Sequence, residues 1–228
     1  MVAFQDAVDL GYRYVETDVQ STIDGRLVAF HDDDLLRTCG VSKKISETTW
    51  AEVSALRVDG REPIPLLDDL IGAWPDLRLN IDCKSDRAVE PLVECLRRTS
   101  SLDRVCLGSF SDSRLDRLRS ILGPLACTSM GPKSVARLLG GSLPGVPLRP
   151  PTAPVAQVPL SQGPIPIVTR RFVDHAHRHG IAVHVWTIDD PGTMNRLLDL
   201  GVDGIMTDDT RALKDVFVAR GIWSSSSD

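Results

Sequence analysis

The chain has 228 residues, a formal net charge of −5 and 25% charged residues, which is the profile of an ordinary water-soluble globular protein long enough to bury a full core. No Lys/Arg stripe marks a nucleic-acid surface, no run of eighteen apolar residues marks a membrane span, and the first residues carry no charged-then-apolar leader pattern. Five cysteines without CxxC spacing indicate neither a disulfide frame nor a zinc knuckle, so a reducing cytoplasm is the expected location.

Residues 2–10 have helical spacing, with Val8 four positions after Phe4 and Gly11 as a stop. Residues 14–32 read as two strands joined at Asp24-Gly25, a strong hairpin signal. Residues 33–62 are polar and irregular, with one short helix from Trp50. Pro63-Ile-Pro65 then introduces a helix over 66–73. From Leu77 strands and helices alternate. Strands are expected at 77–84, 104–110, 125–130, 155–160, 181–188 and 203–207. Helices are expected at 88–98, 113–122, 132–139, 171–179, 193–200 and 211–220. With the first hairpin strand this makes seven βα units, the pattern of a parallel sheet. Eight of the fifteen prolines lie between Gly140 and Pro166, a long surface connection rather than a linker, because the rhythm resumes after it. Residues 1–223 therefore read as one domain, and Ser224–Asp228 as a disordered tail.

Strand alternation puts Glu16 and Asp18 on one face of their strand. A two-residue turn at Asp24-Gly25 sets Ile23 opposite Arg26, Thr22 opposite Leu27 and Asp18 opposite His31. Two carboxylates and an imidazole so gathered suit a hard divalent cation with an acid/base group beside it. Asp82 and Lys84 share a face of a later strand, either as a structural ion pair or as part of the same site. Cys83 and Cys106 fall inside apolar runs and read as core. His175, His177 and His179 crowd one helix without the glutamate of an HExxH motif, and a solvated helix end accounts for them.

Glu16/Asp18, Asp82/Lys84, Trp186 and Asp208 all fall at or near the C-terminal ends of their strands, where (β/α) barrels carry their chemistry. An open sheet would gather such residues at one switch point, and no G-x-G-x-x-G or Walker motif follows the first strand. The reading is an α/β TIM (β/α)8-type barrel with a β-hairpin at its mouth, one strand short at the N-terminal end.

The run Glu-Thr-Asp-Val-Gln-Ser-Thr-Ile-Asp-Gly…Phe-His-Asp-Asp-Asp-Leu-Leu-Arg-Thr resembles the signature of the glycerophosphodiester phosphodiesterase family. The likeness continues through Ile64-Pro-Leu-Leu-Asp-Asp-Leu, Leu79-Asn-Ile-Asp-Cys-Lys, Gly108-Ser-Phe, Val183-His-Val-Trp-Thr-Ile-Asp-Asp and Gly201-Val-Asp-Gly-Ile-Met-Thr-Asp, and so covers nearly the whole chain in order. It implies a TIM barrel that hydrolyses small-molecule glycerophosphodiesters to an alcohol and glycerol 3-phosphate with a divalent cation, Mg2+ or Ca2+. It implies Glu16 and Asp18 as metal ligands, Asp82 as a third in place of the family's longer glutamate, and Lys84 facing the phosphate. His31 is expected as the general acid on the leaving alkoxide, and Trp186 as a wall of the glycerol pocket or a core residue. Asp208 is expected to hydrogen-bond at the mouth or to cap the last helix.

The family pattern opens with a strand ending in His-Arg-Gly, which brings a second catalytic histidine. Met1 here aligns inside the helix that follows that strand, so the strand is expected upstream of Met1. Two further readings stand beside this one. One is a catalytically inactive barrel that acts as a binding protein. The other is a phospholipase D-like relative acting on lysophospholipids.

Overall fold

A computed structural model of the chain describes residues 1–143, 145–146 and 153–223. Its contacts fall into two compact units that meet at Cys127/Thr128. The tail Ser224–Asp228 and part of the proline-rich connection lie outside the described residues.

The first unit runs α1 (Val2–Asp9), β1 (Tyr14–Ser21), β2 (Leu27–Ala29), α2 (Leu36–Cys39), α3 (Trp50–Ala55), β3 (Arg57–Val58), β4 (Glu62–Pro63), α4 (Leu67–Ala73), β5 (Arg78–Cys83), α5 (Val89–Arg98), β6 (Val105–Gly108), α6 (Asp112–Leu122) and β7 (Cys127–Thr128). Its sheet has the order β2-β1-β5-β6-β7. β1 pairs in parallel with β5 and β5 with β6, whereas β2 is antiparallel to β1. Leu79, Ile81 and Cys83 of β5 are buried, and α5 lays Val89, Leu92, Val93 and Leu96 into the same core at helical spacing. Each such side chain contributes about 1.5–3 kcal/mol relative to exposure. The alternate residues Asn80 and Asp82 point to the other face of the sheet.

The stretch between β2 and α4 departs from the irregular segment expected for it. Val28, Phe30, Leu35, Ile45, Val53, Ile64 and Leu66 form a satellite core, and β3 and β4 make a small hairpin. Apolar residues there are spaced too widely to show either period, so only their packing reveals the element.

The second unit runs α7 (Pro132–Gly141), β8 (Val155–Pro159), β9 (Ser161–Gln162), β10 (Ile165–Pro166), α8 (Arg170–Arg178), β11 (Ala182–Trp186), α9 (Pro191–Leu200), β12 (Gly204–Ile205) and α10 (Thr210–Ala219). Its sheet has the order β12-β11-β8, all parallel. Inside the proline-rich connection β9 and β10 pair as a short hairpin that the sequence did not signal. Helix α9 opens with Asp190 capping the N–H of Thr193 and Pro191 in its first turn, and it stops at Gly201 in the left-handed region (φ +83°).

Among the described residues all seven expected βα units are present, in the expected order. The fold is TIM-barrel-like α/β. Among the described residues, the first unit holds a five-stranded sheet in which β2 runs antiparallel to β1, and the second a parallel three-stranded sheet. Along Tyr14–Thr17, β1 pairs with β5 on one side, and among the described residues no strand pairs with its other edge.

Candidate active site

The parallel register of β1 and β5 sets Glu16 opposite Asn80 and, one pleat further along, Asp18 opposite Asp82. Both aspartates lie towards the C-terminal ends of their strands. Lys84 follows β5 directly, and its Nζ lies 2.7 Å from Asp18 Oδ1 and 2.9 Å from Asp82 Oδ2. The backbone between Asp82 and Lys84 is clamped from β6 and α6. Ser109 Oγ donates to the Cys83 carbonyl at 2.9 Å, and Arg114 Nη1 donates to the same oxygen at 2.8 Å. The ring of Phe110, 63% exposed, lies with its centroid 5.6 Å from the ammonium.

One ammonium serves two carboxylates, so the cluster keeps a surplus negative charge. Burial raises the Asp18 carboxyl above its ordinary value, the charge of Asp82 adds to the rise, and Lys84 offsets only part of it. Burial works to lower the Lys84 ammonium, but the two aspartates override it and hold it raised. Asp82 Oδ1 is buried with no hydrogen-bond partner among the described residues, an arrangement that costs free energy unless a cation or donor meets it. Paired hard oxygens, a surplus negative charge and an unmet buried carboxylate oxygen fit a divalent cation. Glu16 is exposed on the same face. As the side chains stand, no group of three acidic, histidine or cysteine residues among the described residues converges on one point. The structure thus brings Asp18, Asp82 and Lys84 together and leaves Glu16 one pleat away.

The hairpin register corrects one expectation. Val19 pairs with Ala29, Gln20 with Val28 and Ser21 with Leu27, so His31 does not stand opposite Asp18. The loop holds three residues, Ile23-Asp24-Gly25, closed by the Thr22 N–H on the Arg26 carbonyl at 3.0 Å. Gly25 takes the left-handed conformation (φ +78°) that a three-residue loop needs at its end. Asp24 is drawn into the loop because its Oδ1 accepts from Thr22 Oγ1 at 2.6 Å and from the Trp50 N–H at 3.0 Å. One extra loop residue shifts every pairing by one. Position 30 now meets position 18, with the Phe30 N–H donating to the Asp18 carbonyl at 3.0 Å.

His31 instead bonds its own neighbour. Its Nδ1 lies 2.7 Å from Asp32 Oδ1, and its side chain is 67% exposed. Arg37 closes on the same carboxylate, with Nε 2.6 Å from Oδ2 and Nη2 3.0 Å from Oδ1. The Arg37 guanidinium and then the imidazole push the Asp32 carboxyl down to about 2. The imidazole is also close enough to Asp18 to lower its carboxyl, as the smallest of the influences on that group. The sequence patterns assign no role to Asp32 or Arg37. Their signal is the carboxylate next to the histidine and the arginine five positions beyond it.

In the second unit Trp186 ends β11, half-buried. Asp208 does not cap the last helix: Asp209 does, accepting from the Ala212 N–H at 3.0 Å, while the Asp208 N–H donates to Asp189 Oδ1 at 2.8 Å. Among the three clustered histidines, His177 Nε2 meets Asp203 Oδ2 at 2.8 Å, and the rings of His175 and His179 stack edge to face. Cys106 and Cys127 lie on adjacent strands, where each thiol perturbs the other: Cys106 is raised and Cys127 lowered from its ordinary value. Cys83 is buried as expected, whereas Cys106 is half-buried.

The glycerophosphoryl diester phosphodiesterase family matches this chain over residues 1–212. A probable glycerophosphodiester phosphodiesterase of Mycobacterium tuberculosis is 38% identical over 231 residues, covering 99% of this chain and 87% of that protein. A mouse lysophospholipase D is 27% identical over 252 residues, covering 94% of this chain and 80% of its own. Among solved structures, an Oleispira antarctica phosphodiesterase in complex with the product sn-glycerol-3-phosphate superposes with a TM-score of 0.77 at 21% identity, covering 95% of this chain and 90% of that one.

Proposed function

The chain belongs to the glycerophosphoryl diester phosphodiesterase family, and from that premise we propose that its substrate is a small-molecule glycerophosphodiester, cleaved to an alcohol and glycerol 3-phosphate at the Asp18–Lys84–Asp82 cluster. The observation that carries this reading is the placement of that cluster at the C-terminal ends of adjacent parallel strands in a barrel-type fold. Glu16, Asp18 and Asp82 would hold the divalent cation, Mg2+ or Ca2+. When bound, it supplies Lewis-acid polarisation of the phosphoryl oxygens.

The chain's own residues supply the rest. Lys84 presents a positive charge to the phosphate. Asp32 accepts from His31 Nδ1, which fixes the ring and leaves Nε2 to carry the transferable proton. As the bond from phosphorus to the leaving oxygen breaks, that proton passes from Nε2 to the alkoxide; the hydroxyl of water ends on phosphorus, and the other proton of that water goes to solvent, from which Nε2 is reprotonated. The role of Trp186 at the glycerol is proposed on the resemblance alone. Among the described residues no helix is long and apolar enough to cross a membrane, and the proposal places the enzyme in the cytoplasm.

The test is release of glycerol 3-phosphate from glycerophosphocholine with Mg2+ or Ca2+. His31→Ala is expected to lower the rate by about 10²–10⁴-fold. A variant as fast as the parent would remove His31 from the mechanism, and binding of the diester without any release would make the chain a binding protein.

Phe110 favours a second substrate. An exposed aromatic ring beside the ammonium offers an apolar surface to an acyl chain, and the mouse relative is named a lysophospholipase D. Choline release from lysophosphatidylcholine, reduced by Phe110→Ala while glycerophosphocholine turnover is kept, would establish it.

A further inference from the structure

We propose that Lys84 is a resident cation which joins Asp18 to Asp82 in the metal-free protein, and that a divalent cation binds by displacing its ammonium. The inference rests on the reading of Asp18 and Asp82 as metal ligands, and it adds a role for Lys84 before substrate arrives. Three observations carry it.

The first is position. Nζ lies 2.7 Å from one aspartate and 2.9 Å from the other, so the point on which both carboxylates converge is taken by the ammonium. Two cations cannot share that point. The second is incomplete satisfaction. Lys84 meets Oδ2 of Asp82, while Oδ1 of the same carboxylate stays buried without a hydrogen-bond partner among the described residues. One monovalent charge also answers two carboxylates, and a divalent ion balances both. The third is reach. Lys84 comes directly after β5, its backbone held through the Cys83 carbonyl by Ser109 and Arg114. The four-carbon stem can therefore swing while its root stays fixed, and the exposed ring of Phe110 lies 5.6 Å from Nζ as a surface for it to move along.

The consequence is an ordered site. Without metal, Lys84 is engaged with the aspartates and turned away from substrate. With metal, the same ammonium is released to pair with the phosphate. Metal binding and readiness for an anionic substrate then become one event.

Reductive methylation of metal-stripped wild-type protein, with Ca2+ or Mg2+ alone as the added probe, reads the displacement directly. Peptide mass spectrometry should show Lys84 methylated slowly without metal and severalfold faster at saturating metal, with Lys43 and Lys133 as unmoved controls. Calorimetric titration of the same ions is expected to show Lys84→Met and Lys84→Gln binding about tenfold tighter than wild type, since the competing cation is gone. If wild-type protein binds the ion while Lys84 methylation stays unchanged, or if both variants bind no tighter, the displacement is wrong and the metal reading survives. If no protein binds either ion, and Asp18→Asn changes nothing, the metal reading falls and the displacement falls with it.

Discussion

Asp18 and Asp82 stand directly opposite each other on adjacent parallel strands, with one ammonium for the two of them. Both side chains are largely buried, so the pair depends on that ammonium more than an exposed pair would. Metal-free Lys84→Met leaves two facing carboxylates and is expected to lose about 3 kcal/mol in urea denaturation. Asp18→Asn leaves one balanced pair and is expected to stay within about 1 kcal/mol of wild type. The Lys84→Met loss should shrink below neutral pH. One aspartate then holds its proton above the pH at which the unfolded chain would release it, so stability rises as pH falls. Equal losses in the two variants would refute this account of the cluster.

Asp32 ties the histidine to the arginine. Asp32→Asn is expected to lower kcat on the order of 10²-fold with little change in KM, because it frees the imidazole to turn without touching the phosphate cluster. The carboxyl is pushed down to about 2 by Arg37 and His31. Its pairing is therefore complete above the ordinary value of 3.8 and is lost only as the pH falls through about 2. A pH–rate profile of the wild type should show no acid limb from Asp32 between pH 4 and 9. A limb in that range that vanishes in the asparagine variant would contradict the assignment.

Gly204 pairs across the sheet with His184. A methyl group at position 204 would come within 2.7 Å of His184 Cδ2. Gly204→Ala is expected to cost about 1–3 kcal/mol and to lower Tm, and the double variant with His184→Ala should recover part of that through the space released. Burial holds the imidazole below its ordinary pKa. An unchanged Tm in Gly204→Ala would show that the strand yields there.

The mutual influence of the Cys106 and Cys127 thiols separates the two groups. The Cys106 thiol pulls Cys127 down to about 7, and Cys106 itself is driven far up by Cys127 and by burial. Iodoacetamide labelling is expected to reach Cys127 first, with a rate that rises through pH 7. Cys83 and Cys95, raised to about 12 by burial, should stay unlabelled in the native protein. Cys106→Ala should return the Cys127 midpoint towards 9. A Cys127 midpoint that does not move in that variant would exclude the Cys106 thiol as its cause.

Much of the fold was legible in the chain because its causes are local. Alternation along β5 separates Ile81 and Cys83 from Asn80 and Asp82 in any sheet, and helical spacing marks the buried face of α5 just as surely. The stop of α9 is written in Gly201, while its start, expected at Thr193, comes two residues earlier at Pro191 behind the Asp190 cap. That local alternation also placed Glu16 and Asp18 on one face, and the order of strands indicated a barrel-type fold.

What only the tertiary structure decided depends on partners far apart in sequence. The hairpin register turned on Asp24 reaching the backbone of Trp50, a contact across 26 positions that no hairpin pattern reports. That single extra loop residue moved His31 from Asp18 to Asp32. The pairing of β1 with β5 carries Asp82 to Asp18 across 64 residues of chain, and Lys84 reaches both only because the strands lie side by side. Alternation says which face a side chain takes, since the pleat repeats every two residues wherever the strand goes. Register and long-range pairing say what it meets there, and those are set by the free energy of the whole sheet.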